Sequence, residues 1–331
     1  MVHLKGKTVL VTGAGGFIGS HLVESLAAKG AEIKTIVRYN SRNDWGMLEG
    51  ISPDGKKHLD VTTGDITDYG LVKKAVKDCD VVFHLAALIG IPYSYVAPES
   101  YVNTNIRGTL NIMQASMEEG VGKIVHTSTS EVYGTARYVP IDEDHPLQGQ
   151  SPYSASKIGA DMLAHSYFRS FETPVAIIRP FNTFGPRQSA RAVIPTIISQ
   201  ALSAKEIRLG SLEPVRDLTY VKDTVNGFIK VAESGKSVGE IINVGNGKGI
   251  TIGDLARKIL DLMGIPDMPV RADEERYRPE KSEVMELICN NAKARELLGW
   301  SPEYSLAEGL QETITWVSAN RQIYKPDRYT I

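Results

Sequence analysis

Thr8-Val9-Leu10-Val11-Thr12 runs without a break into Gly13-Ala14-Gly15-Gly16-Phe17-Ile18-Gly19. The first five residues are aliphatic or β-branched and show no polar alternation, which suits a strand buried on both faces. From Phe17 an apolar helical pattern runs to Lys29 and stops at Gly30. Between strand and helix, Gly13, Gly16 and Gly19 fall at intervals of three. A dinucleotide pyrophosphate needs this succession: a tight turn, backbone that the phosphates can approach, and close packing of helix on strand. The helix N-terminus adds unpaired N–H donors and positive partial charge. Glycine spacing alone is weak evidence, and the strand before it and the helix after it give it weight. Gly13, Gly16, Phe17, Ile18 and Gly19 are therefore expected to hold a nicotinamide dinucleotide.

Outward from this turn the chain keeps alternating. Strands are expected at Ile33–Arg38, Leu59–Thr63, Val81–Leu85, Lys123–Ser128 and Val175–Arg179, with helices at Tyr69–Lys77, Pro98–Glu118 and Ser151–Phe171. Such alternation implies a parallel sheet covered on both faces, an α/β doubly wound sheet of Rossmann type. After Pro180 the regularity breaks. Val193–Ala204, Val221–Ala232, Ile252–Met263 and Asn291–Leu298 read as helices among short strands and loops. We expect a nucleotide-binding domain over 1–180 and a smaller α/β substrate lobe over 181–331, parts of which cross back to the sheet. The polar tail Arg321–Ile331 is expected to be loosely held.

The end of the second strand separates NAD from NADP. An acidic residue there binds the ribose hydroxyls, and an arginine favours a 2′-phosphate. The sequence is Val37-Arg38-Tyr39-Asn40-Ser41-Arg42, with no carboxylate before Asp44. Arg38, Ser41 and Arg42 could hold a phosphate by charge-assisted hydrogen bonds, so NADP is expected, with NAD as the alternative. Asp65 and Ile66, after the third strand, are placed to meet the adenine. A plain turn aspartate is an equally simple reading of Asp65.

Composition limits the rest. The chain has 331 residues, 37 Lys+Arg against 39 Asp+Glu, and a net charge of −2. A dedicated nucleic-acid binder usually carries a basic surplus, so no nucleic-acid partner is expected. Two distant cysteines, Cys79 and Cys289, make no disulfide framework and fit a reducing cytoplasm. No apolar run reaches the roughly 18 residues of a membrane span, and the N-terminal apolar stretch reads as a strand and not as a signal peptide. No histidine pair has ligand spacing, so no metal is expected, and His84 and His126 read as core residues of central strands.

Tyr153-Ser154-Ala155-Ser156-Lys157 opens a helix, so Tyr153 and Lys157 are neighbours on one face. A phenol, with a reference pKa of about 10, is a poor base at neutral pH. A nearby ammonium and a positive nicotinamide would lower that value. Together with the glycine turn, His84-Leu85-Ala86-Ala87 and Arg179-Pro180-Phe181-Asn182-Thr183-Phe184-Gly185-Pro186, the pair resembles the extended short-chain dehydrogenases/reductases that act on nucleotide sugars. The resemblance runs from about Lys7 to Trp316. It implies cofactor contacts at Leu85, Ala86 and Ala87, as well as at Tyr153 and Lys157. It also implies a serine or threonine at the end of the fifth strand, and a homodimer built on the helices Pro98–Glu118 and Ser151–Phe171.

That strand runs into Thr129-Ser130-Glu131-Val132-Tyr133-Gly134. Thr-Ser-Glu is similar to the 4,6-dehydratases of the family, GDP-mannose 4,6-dehydratase in particular. The dTDP-glucose enzymes have an aspartate where Ser130 stands. Oxidation at C4 of a hexose acidifies the C5 hydrogen, so a carboxylate can remove that proton while the C6 hydroxyl leaves as water. A C4 epimerase needs no such carboxylate. Glu131 is thus the expected C5 base, with Thr129 on the C4 oxygen beside Tyr153. Ser130 is a poor acid, so it would only position the leaving group while Glu131 or a water handles both protons. The rival readings are a C4 epimerase and a non-catalytic NADP-binding sensor or scaffold.

The loop Tyr39–Gly46 and the segment Ile91–Tyr95 resemble retaining N-acetylglucosamine 4,6-dehydratases, whose substrate is a UDP- or GDP-linked amino sugar. Ser94 is then a candidate sugar contact. A diphosphate calls for guanidinium groups. Arg216 and Arg278 match family positions for it, Asn182 and Arg187 would line the same cleft, and Glu283 would reach the nucleotide ribose.

Overall fold

The computed structural model describes residues 3–324. In chain order the strands are β1 (Thr8–Thr12), β2 (Glu32–Val37), β3 (Leu59–Thr63), β4 (Val81–His84), β5 (Lys123–Thr127), β6 (Val175–Pro180) and β7 (Asn182–Phe184). They continue with β8 (Ile207–Leu209), β9 (Val215–Tyr220), β10 (Ile241–Val244), β11 (Gly249–Thr251), β12 (Val270–Ala272) and β13 (Glu286–Leu287).

Seven of these form one sheet in the order β10-β6-β5-β4-β1-β2-β3, every pair parallel. This is the expected doubly wound sheet, extended at one edge by β10, a strand the sequence did not reveal. The period of two along each strand divides the core between the faces. Val9, Val11, Phe83 and Val125 pack on one side, and Leu10, Val82 and Ile124 on the other. Strand order reverses between β1 and β4, so the loops at their carboxyl ends diverge and open a crevice. Thr12 staples this point. Its hydroxyl accepts hydrogen bonds from the backbone N–H groups of Leu85 (3.2 Å) and Ala86 (3.1 Å).

Above the carboxyl edge sits a small sheet, β11-β9-β13, with β7 pairing β9. β7 begins one residue after β6 ends, so the second sheet is tethered directly over the crevice.

Beyond the one-turn helix Pro53–Lys56, which was not anticipated, the helices differ from expectation in three places. Pro98–Glu118 is helical throughout but not uniformly α: Val102–Arg107 widens into a π turn between α segments Pro98–Tyr101 and Gly108–Glu118. Asn105 explains the insertion. Its buried side chain accepts from Leu88 N–H (2.8 Å) and donates to the Leu88 carbonyl (3.0 Å) and the Ser156 hydroxyl (2.9 Å), while the Thr109 hydroxyl takes its carbonyl. Two longer helices were not anticipated, Ile91–Val96 and Leu306–Ala319. The second carried a legible start: Ser305 and Glu308 form a reciprocal capping box. The tail is better anchored than expected up to Tyr324, which is buried and donates its hydroxyl to the Gln188 carbonyl (3.0 Å). The remainder, 325–331, lies outside the described residues.

Candidate active site

A cavity of about 890 Å³ follows the carboxyl edge of the large sheet and is roofed by the small one. At its nucleotide end, Gly13 has a φ of +72°, and a Cβ there would stand 2.8 Å from the Ala86 nitrogen. A Cβ on Gly19 would stand 2.3 Å from the Gly13 carbonyl oxygen. The helix Phe17–Ala28 starts on Gly16 with no side-chain cap, and Gly16, Phe17, Ile18 and Gly19 line the cavity. A side-chain-free cradle at a helix N-terminus fits a dinucleotide pyrophosphate. Leu85, Ala86 and Ala87 line the same space, as do Arg38, Asp65 and Ile66 farther along. Asp65 also shapes its own turn, accepting from Thr67 N–H and hydroxyl at 2.9 and 2.8 Å.

At the centre, the 20-residue helix Pro152–Phe171 presents Tyr153 and Lys157 on one face, both buried but lining the cavity. Ser151 and Ser154 cap its start reciprocally, which fixes the first turn that carries Tyr153. Lys157 Nζ donates to the Thr127 carbonyl at 2.6 Å. Burial lowers the Lys157 ammonium to about 8, opposed by the charge of Asp161. Burial pushes the Tyr153 phenol above its ordinary value, opposed by a hydrogen bond with Thr129. Tyr101 meets the Tyr153 ring edge-on at 6.2 Å. After β5, the Thr129 hydroxyl accepts from Glu131 N–H (3.2 Å) and caps the turn Ser130–Tyr133. That turn sets Thr129, Ser130 and Glu131 along the cavity beside Tyr153.

At the far end, Arg216 stands on β9 and Asn182 opens β7, in register with Leu218. Arg216 and Arg278 share Glu283, whose Oε1 lies 3.1 Å from Arg216 Nη2 and 3.6 Å from Arg278 Nη1. Glu283 is thus a spacer between two guanidinium groups. Glu131 lies close enough for its charge to act on both Arg216 and Tyr153, so the central and far ends are electrostatically one site.

Four expected contacts are not among the residues that line the cavity. The Ser94 hydroxyl is buried and donates to the Ile91 carbonyl (2.7 Å), which ends its availability to a sugar. Arg187 pairs with Glu24 at 2.8 Å and reaches the Ser20 hydroxyl at 3.3 Å, locking the loop after β7 to the first helix. Arg42 turns back onto Asp44 at 3.0 Å, and Ser41 is exposed beside it. Conversely, Thr104, Asp44 and Arg191 line the cavity without having been singled out. Asp44 was visible as the first carboxylate after the second strand. Arg191 lies in a loop with no local signal.

The chain is similar along nearly its whole length to known proteins. The sequence profile described as GDP-mannose 4,6 dehydratase matches residues 10–313. A dTDP-glucose 4,6-dehydratase of Streptomyces antibioticus is 34% identical over 96% of this chain and 94% of that protein. A UDP-glucose 4-epimerase of Mycolicibacterium smegmatis is 33% identical over 92% of this chain and 96% of that protein. The solved dTDP-glucose 4,6-dehydratase DesIV of Streptomyces venezuelae, with NAD and TYD bound, superposes with a TM-score of 0.86 at 31% identity, covering 97% of this chain and 100% of that one.

Proposed function

Because the chain belongs to the GDP-mannose 4,6-dehydratase family of extended short-chain dehydrogenases/reductases, we propose that it converts an NDP-N-acetylglucosamine, with UDP or GDP as the nucleotide, to the 4-keto-6-deoxy sugar nucleotide. It is an enzyme of the NAD(P)-dependent hydro-lyase class. The observation that carries the dehydratase reading is the presence of Glu131 in one cavity with Thr129, Tyr153 and Lys157. The amino-sugar reading rests on the likeness of Ile91–Tyr95 to such enzymes, and Ile91 and Pro92 line the cavity.

A nicotinamide dinucleotide held at Gly13, Gly16 and Gly19 would supply the hydride acceptor for C4 and the hydride donor for C6. Tyr153, as the phenolate that the Lys157 ammonium favours, accepts the C4 hydroxyl proton. Thr129 donates to the developing C4 carbonyl oxygen. Glu131 removes the C5 proton and passes it to the departing C6 hydroxyl, which leaves as water. As the hydride reaches C6, C5 takes a proton from solvent and Tyr153 releases to solvent the one it took from the C4 hydroxyl. Ser130 hydrogen-bonds the departing hydroxyl without protonating it. Arg216 and Arg278 hold the diphosphate, with Glu283 fixing their separation.

For the dinucleotide the observations support NAD over NADP. Asp44 brings a carboxylate to that end of the cavity, which Arg38 also lines, while Arg42, ion-paired with Asp44, is not among the lining residues. The dTDP-glucose 4,6-dehydratases of Streptomyces venezuelae and Bacillus anthracis were solved with NAD. We further infer a homodimer: Val102, Leu110, Met162 and Phe171 expose apolar surface on the two helices expected to form its interface. Among the described residues no helix is long and apolar enough to cross a membrane.

The test is mass spectrometry of products in deuterated water, with UDP-N-acetylglucosamine, GDP-N-acetylglucosamine, GDP-mannose and dTDP-glucose offered separately. Loss of one water with gain of one deuterium is expected from an N-acetylglucosamine nucleotide. Glu131→Gln should keep cofactor binding and lose that product. An unchanged formula with inverted C4 would establish the epimerase instead.

A further inference from the structure

The helix Pro152–Phe171 carries Tyr153, Lys157 and Asp161 at intervals of four, all buried. Tyr153 and Lys157 reach the cavity, whereas Asp161 does not line it and is fully enclosed. Its Oδ2 accepts from the Ser128 hydroxyl (2.6 Å) and from Arg179 Nη2 (3.0 Å) and Nε (3.3 Å). Its Oδ1 lies 3.3 Å from His126 Nε2. Ser128 directly follows Thr127, whose carbonyl receives the Lys157 ammonium. The carboxylate is therefore fixed from two strands, β5 and β6, and the loop after β5, one helical turn behind the lysine.

Burying a carboxylate and a guanidinium together is seldom the most stable way to fill a core. The charges around Lys157 suggest what the arrangement does. Tyr153 and Asp161 face it from its own helix, His84 from β4 and His126 from β5. Both histidines are kept neutral by burial, which lowers their proton affinity. Glu131 acts on Tyr153 and on Arg216, and the Asp161 charge also acts directly on Tyr153, as the smallest of the influences on it. Arg179 bonds Oδ2 of Asp161.

We propose that Asp161 is a positioning residue for the hydride-transfer step, the buried counter-charge that keeps Lys157 an ammonium beside Tyr153. The proposal rests on the reading that Tyr153 and Lys157 carry that step. Lys157 can lower the phenol only while it is charged, and inside this core burial works against the charge. Residues four apart on a helix are neighbours, and an opposite charge at that range moves a pKa by about 1–3 units. Sharing with Arg179 puts the expected effect near the lower end.

The experiment is the pH profile of kcat and KM on the holoenzyme, with the NDP-sugar that the wild type turns over. Asp161→Asn should move the alkaline limb of kcat toward acid by about one pH unit and leave KM nearly unchanged. Asp161→Glu should restore part of the shift. Because Asp161→Asn strands a buried guanidinium, the paired variant Asp161→Asn/Arg179→Gln removes both charges and protects the fold. It should show the same displaced limb. A folded single or paired variant whose alkaline limb coincides with that of the wild type would overturn the proposal and leave Asp161 a structural partner of Arg179. Lys157→Met is the control: if it retains turnover, the reading of the site fails and not the role of Asp161 within it.

Discussion

Replacing Gly19 by alanine tests the nucleotide end with the least chemical change. The new Cβ would stand 2.3 Å from the Gly13 carbonyl oxygen and 2.9 Å from Ala14 Cα, both backbone. Neither neighbour can rotate away. To reach ordinary contact distance the first helical turn must withdraw from the glycine turn by about 1 Å. That withdrawal carries the Phe17 and Ile18 N–H groups out of register with a pyrophosphate held against Gly13. Charge-assisted hydrogen bonds contribute roughly 1.5–3 kcal/mol each, so losing one lowers dinucleotide affinity by about 10- to 100-fold. Alanine's better helix propensity offsets the strain in the apoprotein by about 1 kcal/mol, so the melting temperature should fall little. Two companions calibrate the result. Gly16→Ala places its Cβ 3.2 Å from the Gly13 oxygen and should have a smaller effect, and Gly50→Ala meets nothing within 4 Å and should have none. Calorimetric titration of the purified variants with NAD reads the series. If Gly19→Ala bound as tightly as the wild type, the helix start could not be pressed against the phosphates, and the cradle would need a different occupant.

Two further expectations concern residues away from the chemistry. Arg187→Ala should leave KM for the NDP-sugar unchanged and destabilise the protein by roughly 1–2 kcal/mol in urea titration, because its guanidinium is engaged by Glu24 and Ser20; a raised KM would put it back on the substrate. Stability should also fall on acidification. Burial lowers His21, His84 and His126 below their ordinary value of 6.5, so the stability they confer is full above that value and is lost as pH drops below it. Between pH 7.5 and 5.5 the three together withdraw up to about 4 kcal/mol. Asp217, raised by burial to about 6, takes up a proton over the same range and returns about 1 kcal/mol. Equilibrium unfolding at the two pH values checks the sign, and equal stability would refute it.

What was legible in the sequence was local. The glycine turn reads correctly because its strand, its φ-demanding glycine and its helix occupy twelve consecutive residues. The five strands expected after it read to within a residue at each end: β4, β5 and β6 are largely buried apolar runs, whereas β2 and β3 carry polar residues on partly exposed positions and are legible through their β-branched content. Tyr153, Lys157 and the Thr129–Glu131 run were found because each is a short pattern whose chemistry depends on neighbours in the chain. Asp161 belongs to the same helical face, and the interval of four that found Lys157 points to it as well.

What only the tertiary structure decided depends on partners distant in sequence. β10 is four residues long and joins the sheet by pairing with β6, some sixty positions earlier. Arg187 looks available for a phosphate until the first helix brings Glu24 to it. Ser94 and Arg42 are different cases: each is engaged by a near neighbour, Ile91 and Asp44, through a local turn whose conformation the sequence did not show. The widened turn at Asn105 exists because Leu88 and Ser156 converge there. Glu131 and Arg216, 85 positions apart, share one cavity because β7 begins one residue after β6 and carries the small sheet back over the crevice. Period and propensity are properties of a segment, so sequence can state them. Whether a polar group is free for a ligand depends on which other groups the fold has already placed against it, and that is fixed only when the chain closes.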